Sequence, residues 1–305
     1  MAMQKKKAVL TLVLLAATSA RAAEFSGAEA LAFTKRLVAF GPRPSGSDEI
    51  RKAQAYIAGE LKALGCQVIQ DDFTSRTPLG PTAMKNIIAR FPGKSGKVVA
   101  ITGHYDTKSM PGTFFVGAND GGSSAGFLLE MAKALAHQPR QDEVQLVWFD
   151  GEEAVAQWSE TDSLYGSRHL AERWTSDGTL TRLAALINVD MIGDRDLDIL
   201  YDLNSSASLR ELVWRAADRL GYGKHFLRHD SAIEDDHIPF VRLGVNALDL
   251  IDFTYGPSNS YWHTDKDTMD KLAAQSFQIV GNVLLETLQT LEREQGNDGR
   301  DHRSR

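Results

Sequence analysis

The chain has 305 residues, a formal charge of −6 and a single cysteine, Cys66, so an intramolecular disulfide is excluded and stability has to come from a buried core. An acidic balance disfavours nucleic acid, whose phosphates require basic patches. The length suits one domain that folds around its own core without a metal staple, so any metal is expected to serve chemistry.

The amino terminus carries Lys5, Lys6 and Lys7, an apolar run from Ala8 to Ala17, and small residues ending at Ala22-Ala23. This is the pattern of a secretory signal peptide over residues 1–23, and the run falls short of the roughly twenty residues that cross a bilayer as a helix. Cleavage after Ala22 or Ala23 removes Lys5, Lys6, Lys7 and Arg21 and no acidic residue, taking the formal charge from −6 to −10. A secreted or periplasmic protein without stable membrane association is the expectation.

From Ser26 to Leu64 apolar residues recur three and four apart, broken by Gly41-Pro42-Arg43-Pro44-Ser45-Gly46, which predicts two helices joined by a loop. Gln67–Phe73 and Met84–Phe91 read as strands, and Val98–Ile101 as a buried strand running into the polar end Thr102-Gly103-His104-Tyr105-Asp106. A glycine-rich loop, Gly117–Gly122, precedes a helix beginning at Ser123 or Ser124. Its glycines suit a turn before a helix, since glycine tolerates positive φ; no phosphate-binding motif accompanies them.

Val144, Leu146, Val147, Trp148 and Phe149 form a strand of the kind buried on both faces, which runs through Asp150 into the bend Gly151-Glu152-Glu153. At the carboxyl end of such a strand, side chains reach the crevice where ligands bind in open α/β sheets. Adjacent residues on a bend point apart, so one glutamate can hold a metal while its neighbour handles protons. A helix follows near Leu164, a strand over Leu183–Asp190, a helix over Ser206–Leu220, a strand over Val245–Ile251 and a long closing helix over Lys271–Leu291. Strands alternating with helices imply a three-layer α/β sandwich with a mostly parallel, mixed central sheet flanked by helices. One domain is expected over residues 24–294, with a disordered polar tail over 295–305.

Four strands thus end in metal-capable or proton-transferring groups: His104 with Asp106, Glu152 with Glu153, Asp190, and His263 beyond the strand through Ile251. Asp120 joins them from the glycine loop. Alone, a histidine is usually satisfied by backbone or water, and Asp120 would cap the helix that starts beside it. Together, with no cysteine ligand, they form the oxygen and nitrogen set that suits zinc.

The order His104-x-Asp106, Asp120, Glu152-Glu153, Asp190, His263 resembles the zinc-dependent aminopeptidases of the M28 clan over nearly the whole mature chain. That resemblance implies two metals, with Asp120 bridging, His104 and Asp190 on one, Glu153 and His263 on the other, and Glu152 as general base. A narrower resemblance follows from Glu152-Glu153-Ala154 with Trp158-Ser159, Asp162–Leu170, Ser231–Phe240 and Tyr261-Trp262-His263-Thr264. These segments are similar to the animal-type glutaminyl-peptide cyclotransferases, which convert an N-terminal glutamine of a peptide or protein to pyroglutamate with release of ammonia. The resemblance implies one zinc on Asp120, Glu153 and His263, Glu152 as proton shuttle, Asp190 and Asp235 as supporting carboxylates, and Trp158 and Trp262 as walls of the substrate pocket. Arg168 and His169 lie within a matching segment and are read as structural, and the role of His237 stays open.

Such chemistry suits these residue types. A zinc with three protein ligands keeps a fourth position for a carbonyl oxygen. The nucleophile is the substrate's own α-amine, so orientation supplies much of the catalysis. Clustered carboxylates cannot all ionise freely, so at least one is expected to have a raised pKa.

Two departures stand out. Asp249 occupies a position where animal members carry a histidine, which puts that part of the hydrogen-bond network in question. The disulfide that animal members place near the zinc loop is absent, with Gly103 and Ser124 or Ala125 near the corresponding positions. Because His104 and Asp190 are retained, a two-metal aminopeptidase remains the alternative. A non-catalytic binding protein on the same fold would have lost ligands, and all five positions keep them.

Overall fold

The computed structural model describes residues 24–301, with side chains through Arg293; the expected signal segment lies outside the described residues. A six-stranded sheet runs in the order β1 (Gln67–Thr77), β2 (Gly80–Phe91), β4 (Glu143–Phe149), β3 (Val98–His104), β5 (Leu183–Asp190), β8 (Ala247–Ile251). β1 and β2 form an antiparallel hairpin, longer than the two short strands read from the sequence, and β2 pairs antiparallel with β4. From β4 onward all pairings are parallel, so β3, β4, β5 and β8 end on one edge.

Alternation along each strand feeds two cores, because successive side chains point to opposite faces. On one face Ile101, Leu146, Trp148, Ile187 and Leu250 pack with helices α1 (Gly27–Val38), α2 (Asp48–Ala63), α3 (Gly122–Leu135), α5 (Ala207–Arg219) and α7 (Ala274–Asp301). On the other, Ala100, Val147, Phe149 and Leu186 pack with α4 (Tyr165–Ser176) and α6 (Ile238–Arg242). Trp148 is wholly buried and its indole N–H donates to Ala125 O at 3.0 Å, so the one polar atom on this large apolar group is satisfied. Truncating such a residue to alanine costs about 3–5 kcal/mol.

The chain leaves β3 through α3 on one face to reach β4, then returns through α4 on the other face to β5 on the far side of β3. That reversal opens a crevice at the carboxyl ends of the parallel strands, the usual ligand position in such sheets. Ser26 and Ser47 cap α1 and α2 by accepting from Glu29 N and Ile50 N, which fixes the two predicted helices on either side of the Gly41–Gly46 turn.

Two features differ from the sequence expectation. A separate parallel pair, β6 (Ile199–Asp202) and β7 (Phe226–Ser231), lies outside the main sheet; these strands are short and half polar, so no alternation marks them. α7 starts at Ala274 and continues to Asp301, past the point where a polar tail was expected. Extending an existing helix fixes one residue per added hydrogen bond and needs no new nucleus, so a polar composition does not by itself end it. Among the described residues no helix is long and apolar enough to cross a membrane.

Candidate active site and metal centre

The Glu152-Glu153 bend is held from below by Asp106. Its two carboxylate oxygens accept from Glu152 N at 3.2 Å and Glu153 N at 3.3 Å, one oxygen to each amide. Gly151 has φ 74°, and a Cβ there would lie 2.7 Å from Met84 Sδ, so the turn requires glycine. A strand that would otherwise continue is thus bent and clamped, and the two glutamate side chains diverge.

The Gly117–Gly122 loop is clamped in the same way. Asp267 accepts from Asn119 N at 2.8 Å and Asp120 N at 3.1 Å, and Tyr255 donates its hydroxyl to Asp267 at 2.8 Å. Gly121, at φ 76°, packs so closely that a Cβ would meet Asp106 O at 2.4 Å. Asp120 makes no helix cap; Gly121 is the residue at the N-cap of α3, with no side-chain cap bond. The carboxylate faces the crevice instead.

Beneath both segments lies Arg43, fully buried, from the proline-glycine turn. Its guanidinium donates to Tyr105 O at 2.7 Å, Val116 O at 2.6 Å and Gly117 O at 3.0 Å, while its backbone N–H donates to Thr107 Oγ1 at 2.9 Å. Burial lowers its pKa to about 10, with Asp106, Asp267 and Asp120 opposing the shift, so it remains a cation at neutral pH. One side chain therefore ties the segment carrying His104 and Asp106 to the loop carrying Asp120.

Two triads result, sharing Asp120: Asp120–Glu153–His263 and His104–Asp120–Asp190, the candidate donor atoms in each lying within 4.8 Å of one another. In the first, His263 Nε2 is 3.1 Å from Glu153 Oε1 and 3.2 Å from Asp120 Oδ2, and that buried oxygen has no hydrogen bond of good geometry. Burial works against a charge on His263, but Asp120 and Glu153 outweigh it and raise its pKa to about 9. Burial likewise opposes ionisation of Asp120, but His104 and His263 hold its carboxyl below the usual range. Two carboxylates and an imidazole converging around an unsatisfied oxygen fit a divalent metal such as zinc. His263 itself sits at φ 51°, a conformation a non-glycine residue holds only when its surroundings demand it.

In the second triad His104 Nε2 lies 3.2 Å from both Asp120 Oδ1 and Asp190 Oδ1, and Asp190 also accepts from Met191 N at 2.8 Å. The histidine is 1% exposed and does not border the crevice, whereas Asp120, Glu153 and His263 all do.

The crevice is a cavity of about 550 Å³ bordered by Glu152, Asp190, Asp235, Trp158, Trp262 and the first triad. Trp262 stacks on His263 with ring centroids 3.9 Å apart and meets Phe253 edge-on at 4.8 Å. Trp158 is 38% exposed at the rim, on a loop gathered by Asp162, whose carboxylate accepts from Val155, Ala156 and Gln157 N at 2.8–2.9 Å. Every residue proposed for the site from sequence thus lies in or directly behind one cavity.

A chain of buried acids leads inward. Burial raises the Glu152 pKa well above the ordinary value, His104 opposes this, and Glu153, Asp235 and Asp236 add to it. Burial and Asp190 raise Asp235 to about 6. Asn188 donates its amide to Asp235 Oδ2 at 3.0 Å and Asp249 Oδ1 at 3.1 Å, and Thr102 donates to the Asn188 carbonyl at 2.8 Å. Burial, then Asp235, Asp202 and Asp190, hold the Asp249 carboxyl well above its usual range. Asp249, the departure noted in the sequence, therefore gives the network a carboxyl whose ionisation burial disfavours, joined to Asp235 through Asn188.

The remaining motif residues have structural work. His169 stacks flat on Phe73 at 4.2 Å and lies 3.3 Å from Asp71; Arg168 donates to Ser163 O. His237 faces Asp202 at 3.2 Å, and Asp202 also accepts from Ile233 N at 2.9 Å, which pins the segment leading to Asp235. Gly103 abuts Ser124, with a Cβ there only 2.8 Å from the Ser124 Cβ. Sequence reasoning missed Arg43, Lys108, Asp267 and Phe253. Lys108, 3.4 Å from Glu153 Oε2, follows Asp106 by two residues and was the one most open to detection.

The model of peptidase family M28 matches residues 86–288. A glutaminyl-peptide cyclotransferase of Drosophila melanogaster is 33% identical over 252 residues, covering 74% of this chain and 70% of that protein. Among solved structures, an Acidobacteriales bacterium glutaminyl cyclase superposes with a TM-score of 0.87 at 40% identity, covering 96% of this chain and all of that one. A Zn-dependent exopeptidase from Parabacteroides distasonis superposes with a TM-score of 0.78 at 28% identity, covering 87% and 98%.

Proposed function

The chain belongs to peptidase family M28 and, within it, to the glutaminyl-peptide cyclotransferases, and on that premise we propose that it cyclises N-terminal glutamine of peptides or proteins to pyroglutamate on a single zinc held by Asp120, Glu153 and His263. The observation that carries the one-zinc reading is the difference in access. Asp120, Glu153 and His263 border the cavity, which a substrate can enter, while His104 is sealed behind it.

When bound there, zinc supplies Lewis-acid polarisation of the glutamine γ-carbonyl. The protein's part is positional and protonic. Trp158 and Trp262 wall the side chain so that the substrate's α-amine meets the carbonyl carbon of its own side-chain amide, which replaces a bimolecular encounter by an oriented intramolecular one. Glu152 takes a proton as the amine nitrogen bonds to that carbon, and returns it to the amide nitrogen as the carbon–nitrogen bond breaks and ammonia leaves. Asp235 and Asp190, both held above the ordinary carboxylate range first by burial, lie beside Glu152 as supporting carboxylates. No water need be activated. Lys108, the cation bordering the cavity next to Glu153, offsets part of the acidity of the site.

Supplying zinc-loaded protein with Gln-Ala and Leu-Ala and following mass tests this directly. Loss of one ammonia from the first peptide with the second intact is expected. Release of leucine without ammonia loss from the glutamine peptide would overturn the cyclase reading in favour of a peptidase.

A further inference from the structure

A second groove, of about 500 Å³, lies against the outer side of the catalytic cavity, and Trp158 and Glu234 border both. Its floor is apolar. Leu164 and Ile238 are each 8% exposed, Pro239 lies beside them, and Leu243 closes one end at 48% exposure. Helices α4 and α6 form its walls, and the charges that line it nearly balance, Arg168 and Arg242 against Glu160, Glu172 and Glu234, with Arg242 3.4 Å from Glu160. The exposed apolar surface of the groove comes from Trp158 and Leu243, and apolar surface rimmed by polar residues marks interaction sites.

The groove is continuous with a site that acts on chain termini. A glutamine whose side chain and amine lie in the inner cavity must send the rest of its chain out across the rim, and Trp158 is the indole that separates the two spaces. We infer that this groove holds the substrate polypeptide from its third residue onward and favours apolar side chains there. The inference rests on the cyclase reading above. Trp158 then has two faces in use: one toward the cyclising glutamine, the other toward the chain that follows. The near-neutral rim gives no preference for charged partners, so selection comes from burial of apolar area, which scales with the side chain inserted.

Steady-state kinetics on three substrates tests this: Gln-Ala amide, a hexapeptide with leucine and phenylalanine at its third and fourth positions, and the same hexapeptide with glycine at both. The wild-type protein is expected to show a KM for the apolar hexapeptide about tenfold below that of the glycine one, within the range that pocket contacts of this size give. Leu243→Glu places a charge at the apolar end of the groove, and Thr175→Trp, on the exposed face of α4, fills the groove from the opposite wall. Each should erase the difference between the hexapeptides while leaving Gln-Ala amide unchanged. Equal KM values for the two hexapeptides with the wild-type protein overturn the inference, as does a variant that slows the dipeptide as much as the hexapeptides. Failure of the wild-type protein to cyclise even Gln-Ala amide would instead refute the underlying cyclase reading.

Discussion

Replacing Glu152 by glutamine separates the two adjacent glutamates. The side chain lies outside both metal-capable triads, and its backbone N–H bond to Asp106 is untouched by the change. Burial and the nearby Glu153, Asp235 and Asp236 disfavour its ionised form, with His104 opposing, so a neutral amide of the same shape should be accommodated without loss of stability. Only proton transfer is removed. A positioned general acid–base contributes about 10²–10⁴ in rate, or about 3–5.5 kcal/mol of barrier. Ammonia release from a glutamine peptide, measured alongside zinc content, should therefore fall by that factor at unchanged metal stoichiometry. Glu152→Gln that loses zinc, or that keeps turnover within about tenfold of the wild type, would refute the assignment of the proton to this residue.

Three further outcomes follow. Glu153→Gln and His263→Ala should each lose zinc on dialysis, because each removes one of three ligands; retention of a full equivalent by either would place the metal elsewhere. Arg43→Met leaves the Tyr105, Val116 and Gly117 carbonyls without their buried donor, each lost bond costing about 1–3 kcal/mol; a markedly lower Tm and faster zinc loss are expected, with partial rescue by Arg43→Lys. Asp249 ionises near 4 in the unfolded chain but at a higher pH when folded, so its contribution to stability is intact below the unfolded pKa and is lost as pH rises through the folded one. Asp249→Asn should reduce the fall in Tm between pH 5 and pH 8, and an unchanged fall would mean that Asp249 is not the group that titrates.

The parallel strands and the residues at their ends were legible because a strand buried on both faces is a plain apolar run, and a polar group straight after it has few other uses. Trp158 was legible from its place in a polar loop, Asp235 from a long matching segment. Arg43 was not. A buried guanidinium satisfied by three backbone carbonyls leaves no partner residue to find in the sequence, and its turn reads as a loop whatever lies inside it. Asp267 escaped because its carboxylate serves backbone amides of a segment 147 residues away, a contact without local pattern. The β6–β7 pair carries too little alternation to distinguish it from loop. Asp249 was visible as a departure, but its consequence needed the Asn188 amide between it and Asp235.

Cyclisation on one metal separates this account from a two-metal peptidase most directly, and both are read in one titration. Metal-free protein titrated with zinc while ammonia release from Gln-Ala is followed should reach full activity at one equivalent per chain, with Leu-Ala intact throughout. Activity that appears only with a second equivalent, accompanied by leucine release, would contradict it.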